Sequence, residues 1–325
     1  MREKRNGAEL TVLERSIIRQ LQDDGRVSYS AVGRALGVPE PTVRRSAQRL
    51  VEDGVISITA VGNPQVLGLA AMASLALTVN WPDVERLALS LLQIPSIDYV
   101  ATTLGRFQVI AEVGAKDLND LMRKVAIARA LPGVKASETF VYLNLFHQEF
   151  RWPDPGGLMS SPERASAQAP TEIERRLIIA LRDNGRRSFR RLARDLGVSE
   201  RQVRSTYAGL AERGIVRVMA VVNPARLGLN TMAWLGIKVR AAVPVLQAAA
   251  AVAANERIDY LAICAGRYDM LAETACANDA ELAEVVERQL GSLDAIEEIE
   301  VFRYVRLQYV NETVWSAGRV SALDA

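Results

Sequence analysis

An α+β fold built twice along one chain is what this sequence predicts. Three observations lead there: a near-repeat about 160 residues apart, helical apolar spacing at the start of each repeat, and alternating strand and helix patterns in the rest of it. Sliding the sequence by 160 positions lays Thr11 on Thr171 and keeps register without a gap to Ala73 on Ala233, with 28 identities in 63 positions. A shift of 161 then aligns Ile97-Asp98-Tyr99 with Ile258-Asp259-Tyr260 and Gly105-Arg106-Phe107 with Gly266-Arg267-Tyr268. A shift of 162 pairs Glu138-x-Phe140-x-Tyr142 with Glu300-x-Phe302-x-Tyr304. The two halves are therefore expected to be structural copies.

Composition sets the outer bounds. With 49% hydrophobic and 24% charged residues the 325-residue chain is globular, which excludes collagen, coiled-coil rods and disordered chains. Two cysteines, Cys264 and Cys276, make no disulfide framework, and with no His/Cys cluster beside them neither a metal site nor a cofactor is expected. The polar stretch Met1 to Leu10 has no apolar signal core, and no run of 18 apolar residues occurs. The expectation is a cytoplasmic chain with no membrane partner.

Each half opens with three short helices. Thr11-Val12-Leu13-Glu14 and Thr171-Glu172-Ile173-Glu174 are capping boxes, followed by apolar residues at helical spacing (Leu13, Ile17, Ile18, Leu21; Ile173, Leu177, Ile178, Leu181). Asp24-Gly25 and Asn184-Gly185 end that helix. Ser28 and Ser188 are placed to cap a second helix, and Gly37 and Gly197 supply the next turn. A third helix runs from about Pro39 to Asp53 and from Ser199 to Arg213, with Val43, Ala47 and Leu50, or Val203, Tyr207 and Leu210, facing inward. A supporting helix followed by two helices joined at a glycine turn is the helix-turn-helix pattern.

Charge placement gives the pattern a use. Residues 1–60 hold 10 basic and 8 acidic side chains and residues 171–220 hold 12 and 6, so the two helical segments carry +2 and +6. The segments that follow, 61–170 and 221–325, come to −1 and −5. Positive charge concentrates where phosphates would be neutralised. The side chains expected on DNA are Ser28, Pro41, Thr42, Arg44, Arg45, Gln48 and Arg49 in the first copy. In the second they are Ser188, Arg201, Gln202, Arg204 and Ser205. Arginine can read guanine edges and glutamine adenine edges, while serine and threonine hold phosphates.

Strand-like runs Gly54–Ile58 and Gly214–Val218 leave the third helices and end at Asn63-Pro64 and Asn223-Pro224. A βαββαβ series follows in each copy. Its strands are expected at Met72–Val79, Ile97–Thr103, Phe107–Gly114 and Ala136–Leu145, with helices Pro82–Leu92 and Asp117–Arg129. The second set is Met232–Val239, Ile258–Cys264, Tyr268–Ala275 and Glu297–Leu307, with helices Pro244–Ala254 and Asp279–Leu290. One face of such a sheet is left uncovered by its helices and bears Phe140 and Tyr142, or Phe302 and Tyr304. The two sheets of one chain are expected to pack face to face on it as an intrachain pseudo-dimer. The expected domains are 1–60 and 171–220 (helix-turn-helix), 61–150 and 221–315 (ferredoxin-like), a linker 151–170 rich in Pro, Gly, Ser and Ala, and a tail 316–325.

With a winged-type helix-turn-helix, an Asn-Pro-x-x-Leu-Gly connection and a Gly-Arg-Tyr-Asp turn inside a βαββαβ domain, each half resembles the Lrp/AsnC family of leucine-responsive regulators. The resemblance implies a bacterial or archaeal transcription regulator on double-stranded DNA, nucleoid-associated and oligomeric. It also implies a RAM-type domain that senses a small effector, usually an amino acid. The effector set it implies is Gly266, Arg267, Tyr268 and Asp269, with Asp269 offered to an ammonium group. The corresponding Gly105, Arg106, Phe107 and Gln108 of the first copy lack that acid. Two other readings stay open. Siroheme decarboxylases resemble the same family, but their chemistry looks to histidines on central strands, and this chain has only His147, for which a surface or capping role is expected. A scaffold with decayed DNA binding is the third, against which stand the arginines kept on both third helices. The chain is expected not to be an enzyme.

Overall fold

The computed structural model describes residues 10–62, 69–97, 99–148 and 170–309. The first copy contributes α1 (Val12–Asp23), α2 (Tyr29–Leu36), α3 (Glu40–Glu52), β1 (Ile56–Gly62), β2 (Ala71–Val79), α4 (Val84–Leu91), β3 (Tyr99–Thr103), β4 (Val109–Ala115), α5 (Leu118–Arg129) and β5 (Val134–Gln148). The second contributes α6 (Glu172–Asp183), α7 (Phe189–Leu196), α8 (Glu200–Glu212), β6 (Val216–Val222), β7 (Thr231–Val239), α9 (Val245–Ala253), β8 (Ile258–Ala265), β9 (Met270–Cys276), α10 (Asp279–Glu284) and β10 (Ile296–Tyr309). A π-helical segment, Val285–Leu290, continues α10. The expected linker below residue 170, the tail 316–325, Asn63-Pro64, Leu67-Gly68 and Asp98 lie outside the described residues. Among the described residues no helix is long and apolar enough to cross a membrane, and no group of three His, Cys, Asp or Glu is placed to hold a metal ion.

The described residues form two compact units, and each draws on both copies: 10–62 with 170–228, and 69–148 with 229–309. In the helical unit local chemistry sets the helix ends. The Thr11 hydroxyl accepts from the Glu14 amide at 3.2 Å while the Glu14 carboxylate accepts from the Thr11 amide at 2.9 Å, and Thr171 with Glu174 repeats the exchange. Ser28 and Ser188 cap α2 and α7 by accepting from Ala31 and Arg191. Gly37 and Gly197 turn left-handed at φ of 68° and 70°. Gly54 and Gly214 do the same after α3 and α8, at 69° and 67°, so they end helices where extended chain was expected, and the strands begin at Ile56 and Val216. β1 and β6 then pair antiparallel, Ile56 opposite Val222 and Gly62 opposite Val216.

In the other unit each copy folds as a four-stranded antiparallel sheet, β3-β4-β2-β5 and β8-β9-β7-β10, which is the ferredoxin-like order. The expected face-to-face packing of two separate sheets is only part of the arrangement. β5 also pairs with β8 and β10 with β3, so the two sheets join at both edges into one closed eight-stranded barrel. Closure leaves no unpaired edge in that barrel. The helices of each copy cover the outside of its own sheet over Leu75, Leu77, Leu87, Leu91 and Val100, or over Leu235, Ile237, Val252 and Leu261. Tyr99, Phe140, Trp234, Tyr260, Phe302 and Tyr304 are buried on the opposite faces.

Candidate nucleic-acid interface and effector turns

The repeated Asp-x-Gly-Arg-x-Ser turn ties the two helix-turn-helix copies together. The Gly25 amide donates to the Val218 carbonyl and the Gly185 amide to the Ile58 carbonyl, each at 2.8 Å. Thus the turn after α1 packs on the strand of the other copy, and the turn after α6 does likewise. The approach leaves no room for a side chain: a Cβ on Gly25 would lie 2.8 Å from the Met219 backbone, and one on Gly185 would lie 2.9 Å from the Ile58 carbonyl oxygen. Arg186 donates from Nη1 to Gly25 O (2.8 Å) and from Nη2 to Val27 O (2.9 Å), with its guanidinium 4.2 Å over the Tyr29 ring. Arg26 mirrors it, donating to the carbonyls of Gly185 and Arg187 and stacking 4.1 Å over Phe189. Burial lowers the Arg26 pKa, to which the neighbouring Arg186 adds.

On this frame α3 and α8 bury Val43, Ala47 and Leu50, or Val203 and Leu210. Pro41, Thr42, Arg44, Arg45, Gln48, Arg49, Arg201, Gln202, Arg204 and Ser205 are all exposed, as are the caps Ser28 and Ser188. Not all of these are equally available. Arg44 Nε donates to Glu40 at 2.9 Å with its guanidinium 5.4 Å from the Tyr29 ring, and Arg204 Nε donates to Glu200 at 3.1 Å with its guanidinium 4.8 Å from the Phe189 ring. Arg49 lies 3.6 Å from Asp53, and the Ser205 hydroxyl donates to Gln202 O at 3.0 Å. Arg45 and Arg201 have no ion pair or hydrogen bond among the described residues. The sequence reading missed Arg190 and Arg191, exposed on α7 where the first copy has Ser30 and Ala31; the repeat alignment itself carried that signal. It also missed Arg26 and Arg186, whose recurrence in both turns marked a shared structural task.

The two candidate effector turns each meet the other copy's last strand. Gly105 and Gly266 hold φ of 122° and 147°, a region that favours glycine. A Cβ on Gly266 would lie 2.9 Å from the Phe140 ring, and one on Gly105 would lie 3.4 Å from the Phe302 ring. Arg267 pairs with Glu138 at 2.8 Å and Arg106 with Glu300 at 3.1 Å, so each turn is pinned across a barrel seam. Phe107, Phe140, Tyr268 and Phe302 form one aromatic cluster, with ring centroids 5.3–6.3 Å apart. Tyr268 crosses Gly236, where any Cβ would meet its ring at 2.7 Å, and donates its hydroxyl to Glu300; burial and that carboxylate push its pKa up. Asp269 accepts from the Val239 amide at 2.9 Å and pairs with Lys238 at 3.1 Å. Gln108 does the same work in the first copy, accepting from the Val79 amide at 3.0 Å and donating to Gly105 O. Acid and amide are thus interchangeable for holding the turn.

Deeper in the barrel, Tyr99 and Tyr304 donate to Glu273 at 2.5 and 2.7 Å, and Tyr260 donates to Glu112 at 2.6 Å. Burial pushes Glu273 up to about 7, against the pull of the two hydroxyls. Burial also pushes the Cys264 thiol up to about 12, where it is not nucleophilic. Of the surface or capping role expected for His147, the surface half is corrected: the side chain is buried, its Nε2 3.2 Å from the Ile258 carbonyl.

Two locked helix-turn-helix copies with exposed basic third helices, together with a closed α+β barrel, define a DNA-binding regulator with a paired sensor-type domain. Family models agree along the chain: a winged helix-turn-helix DNA-binding domain at residues 10–57, a C-terminal dimeric alpha+beta barrel domain at 71–154, and an AsnC-type helix-turn-helix domain at 171–210. An uncharacterised HTH-type transcriptional regulator of Pyrococcus horikoshii is 36% identical over 135 residues, 41% of this chain and 85% of that protein. The leucine-responsive regulatory protein of Salmonella typhimurium is 28% identical over 154 residues, 46% of this chain and 93% of that protein. The chain belongs to the Lrp/AsnC family of transcriptional regulators, here as a tandem duplication. The crystal structure of the siroheme decarboxylase NirDL superposes on 92% of this chain and 95% of its own, with TM-score 0.64 and 18% identity, a likeness of fold.

Proposed function

We propose that one chain is a complete reader pair for double-stranded DNA, preferring an operator with unlike halves, and that a small effector such as an amino acid modulates it at the barrel. The reciprocal Arg26 and Arg186 lock carries this reading, because it presents α3 and α8 in one frame without a second chain. In an ordinary symmetric dimer identical readers demand a palindrome. Here Pro41-Thr42-Val43-Arg44-Arg45 faces one half-site and Arg201-Gln202-Val203-Arg204-Ser205 the other. The free guanidinium groups of Arg45 and Arg201 suit base edges, whereas Ser28, Thr42, Ser188, Arg190 and Arg191 suit phosphates. The second reader, at +6 against +2, supplies more of the salt-dependent affinity.

In this reading the chain performs no catalysis, works in the prokaryotic cytoplasm on the nucleoid, and assembles into homo-oligomers. An effector at the Gly266 to Asp269 turn would have to compete for Asp269 with Lys238 and the Val239 amide, so binding and barrel geometry are coupled there. The test is binding to the DNA upstream of its own gene at ~150 mM salt with excess unrelated competitor, where specific regulators exceed nonspecific affinity by ~10³ or more. Competitor-resistant binding is expected. No binding even at ~50 mM salt would overturn the reading and return the scaffold and enzyme alternatives.

A further inference from the structure

One interior layer of the duplicated barrel departs from two-fold symmetry by a large change of side-chain volume. In the closed strand order β2 stands opposite β7, and β3 opposite β8. Strand pairing puts Ser74 in one row with Glu112 and Tyr99, and Trp234 in the matching row with Glu273 and Tyr260. Ser74 and Trp234 are repeat mates, as are Tyr99 and Tyr260. The Trp234 indole meets both tyrosines edge to face, 6.2 Å from Tyr99 at 81° and 5.5 Å from Tyr260 at 87°. Exchanging the copies exchanges those tyrosines, so an indole on residue 74 would pack on the same two rings. The interior of an eight-stranded barrel is just wide enough to be filled by its side chains. This layer therefore has room for one indole. Hydrogen bonding does not choose its owner, since the Trp234 Nε1 and the Ser74 Oγ both lack a partner among the described residues. Volume does.

We infer that Ser74 and Trp234 share one interior seat, which makes the unlike half the required partner of each half. Pairing two second copies would bring two indoles into the layer, and pairing two first copies would leave the seat vacant. Both are costly, by overpacking in one case and by a cavity in the other. Only a first copy closed on a second fills the layer once. A symmetric dimer cannot use this device, because its two seats are identical. In a tandem chain it keeps unlike copies together one to one, whatever DNA they meet.

The test is a mutant cycle on the full-length protein, reading thermal unfolding by near-ultraviolet circular dichroism. S74W and W234S are each expected to lower the melting temperature by roughly 6–15 °C, as large packing changes do in a unit of this size. The double variant S74W/W234S moves the indole to its mate position and is expected to melt within about 4 °C of the parent. If S74W fails to fold, the double variant is compared with W234S alone and should melt well above it. Parent-like stability of S74W overturns the inference. So does a double variant that recovers less than half of the loss seen in W234S.

Discussion

Replacing Arg186 with alanine is the sharpest perturbation of the reader lock. The side chain makes two charge-assisted bonds, to Gly25 O at 2.8 Å and Val27 O at 2.9 Å, and covers the Tyr29 ring at 4.2 Å. Hydrogen bonds from a charged donor contribute about 1.5–3 kcal/mol each and an exposed cation–π contact about 0.5–1 kcal/mol. Because Arg186 is only half-buried, the low end applies, and R186A should cost roughly 3–4 kcal/mol. R186K keeps the charge but loses the fork, and should cost about half of that. Urea denaturation of the helical unit measures the loss. Fluorescence anisotropy on a complete operator and on each isolated half then separates locking from contact. Affinity for the complete operator should fall at least ten-fold in R186A, since two readers no longer act as one ligand. Affinity for each half should change little, because Arg186 spends its donors on backbone carbonyls. A variant as stable as the parent that binds the half-sites more weakly would refute the reasoning and place Arg186 on DNA.

Three further outcomes follow from the same geometry. The folded pKa of Glu273 is raised to about 7 from an ordinary 4.5, so its contribution to stability is full in acid and fades as pH rises between these values. E273Q should flatten that part of the stability-against-pH curve; an unchanged curve would count against it. G185A forces a Cβ to within 2.9 Å of the Ile58 carbonyl oxygen and should destabilise the β1–β6 pairing by about 2 kcal/mol or more, seen as faster amide exchange in that ribbon. R201A should weaken operator binding about ten-fold or more and relax base preference in the second half-site alone, whereas R191A should weaken all sequences equally and lower the salt slope by about 1.

Much of this was legible in the residues. The repeat register fixed the copy number, and the capping boxes at Thr11 and Thr171 placed helix starts to the residue because their hydrogen bonds are local. The inward set Val43, Ala47 and Leu50 followed from helical spacing alone. What was not legible depended on the other copy. Gly25 and Gly185 read as helix terminators, yet the close approach that requires them involves a strand some 190 residues away in one case and 130 in the other. Closure of the barrel at β5–β8 and β10–β3 was hidden for the same reason, since sequence shows which face is apolar but not which edge finds a partner. Asp269 read as a ligand group because its type and turn suit an ammonium. Its partners Lys238 and the Val239 amide lie on a neighbouring strand, and only Gln108 in the mirrored position reveals the shared structural task.

The central claim is that two unlike readers act as one. It is tested most directly by selecting binding sites for the full-length protein from a pool of random duplexes and aligning the two halves of the enriched sites. The account predicts one fixed spacing and two different half-sites, with the half read by α8 losing more affinity as salt rises. Enrichment of a perfect palindrome, or of a single half-site with no fixed neighbour, would contradict it.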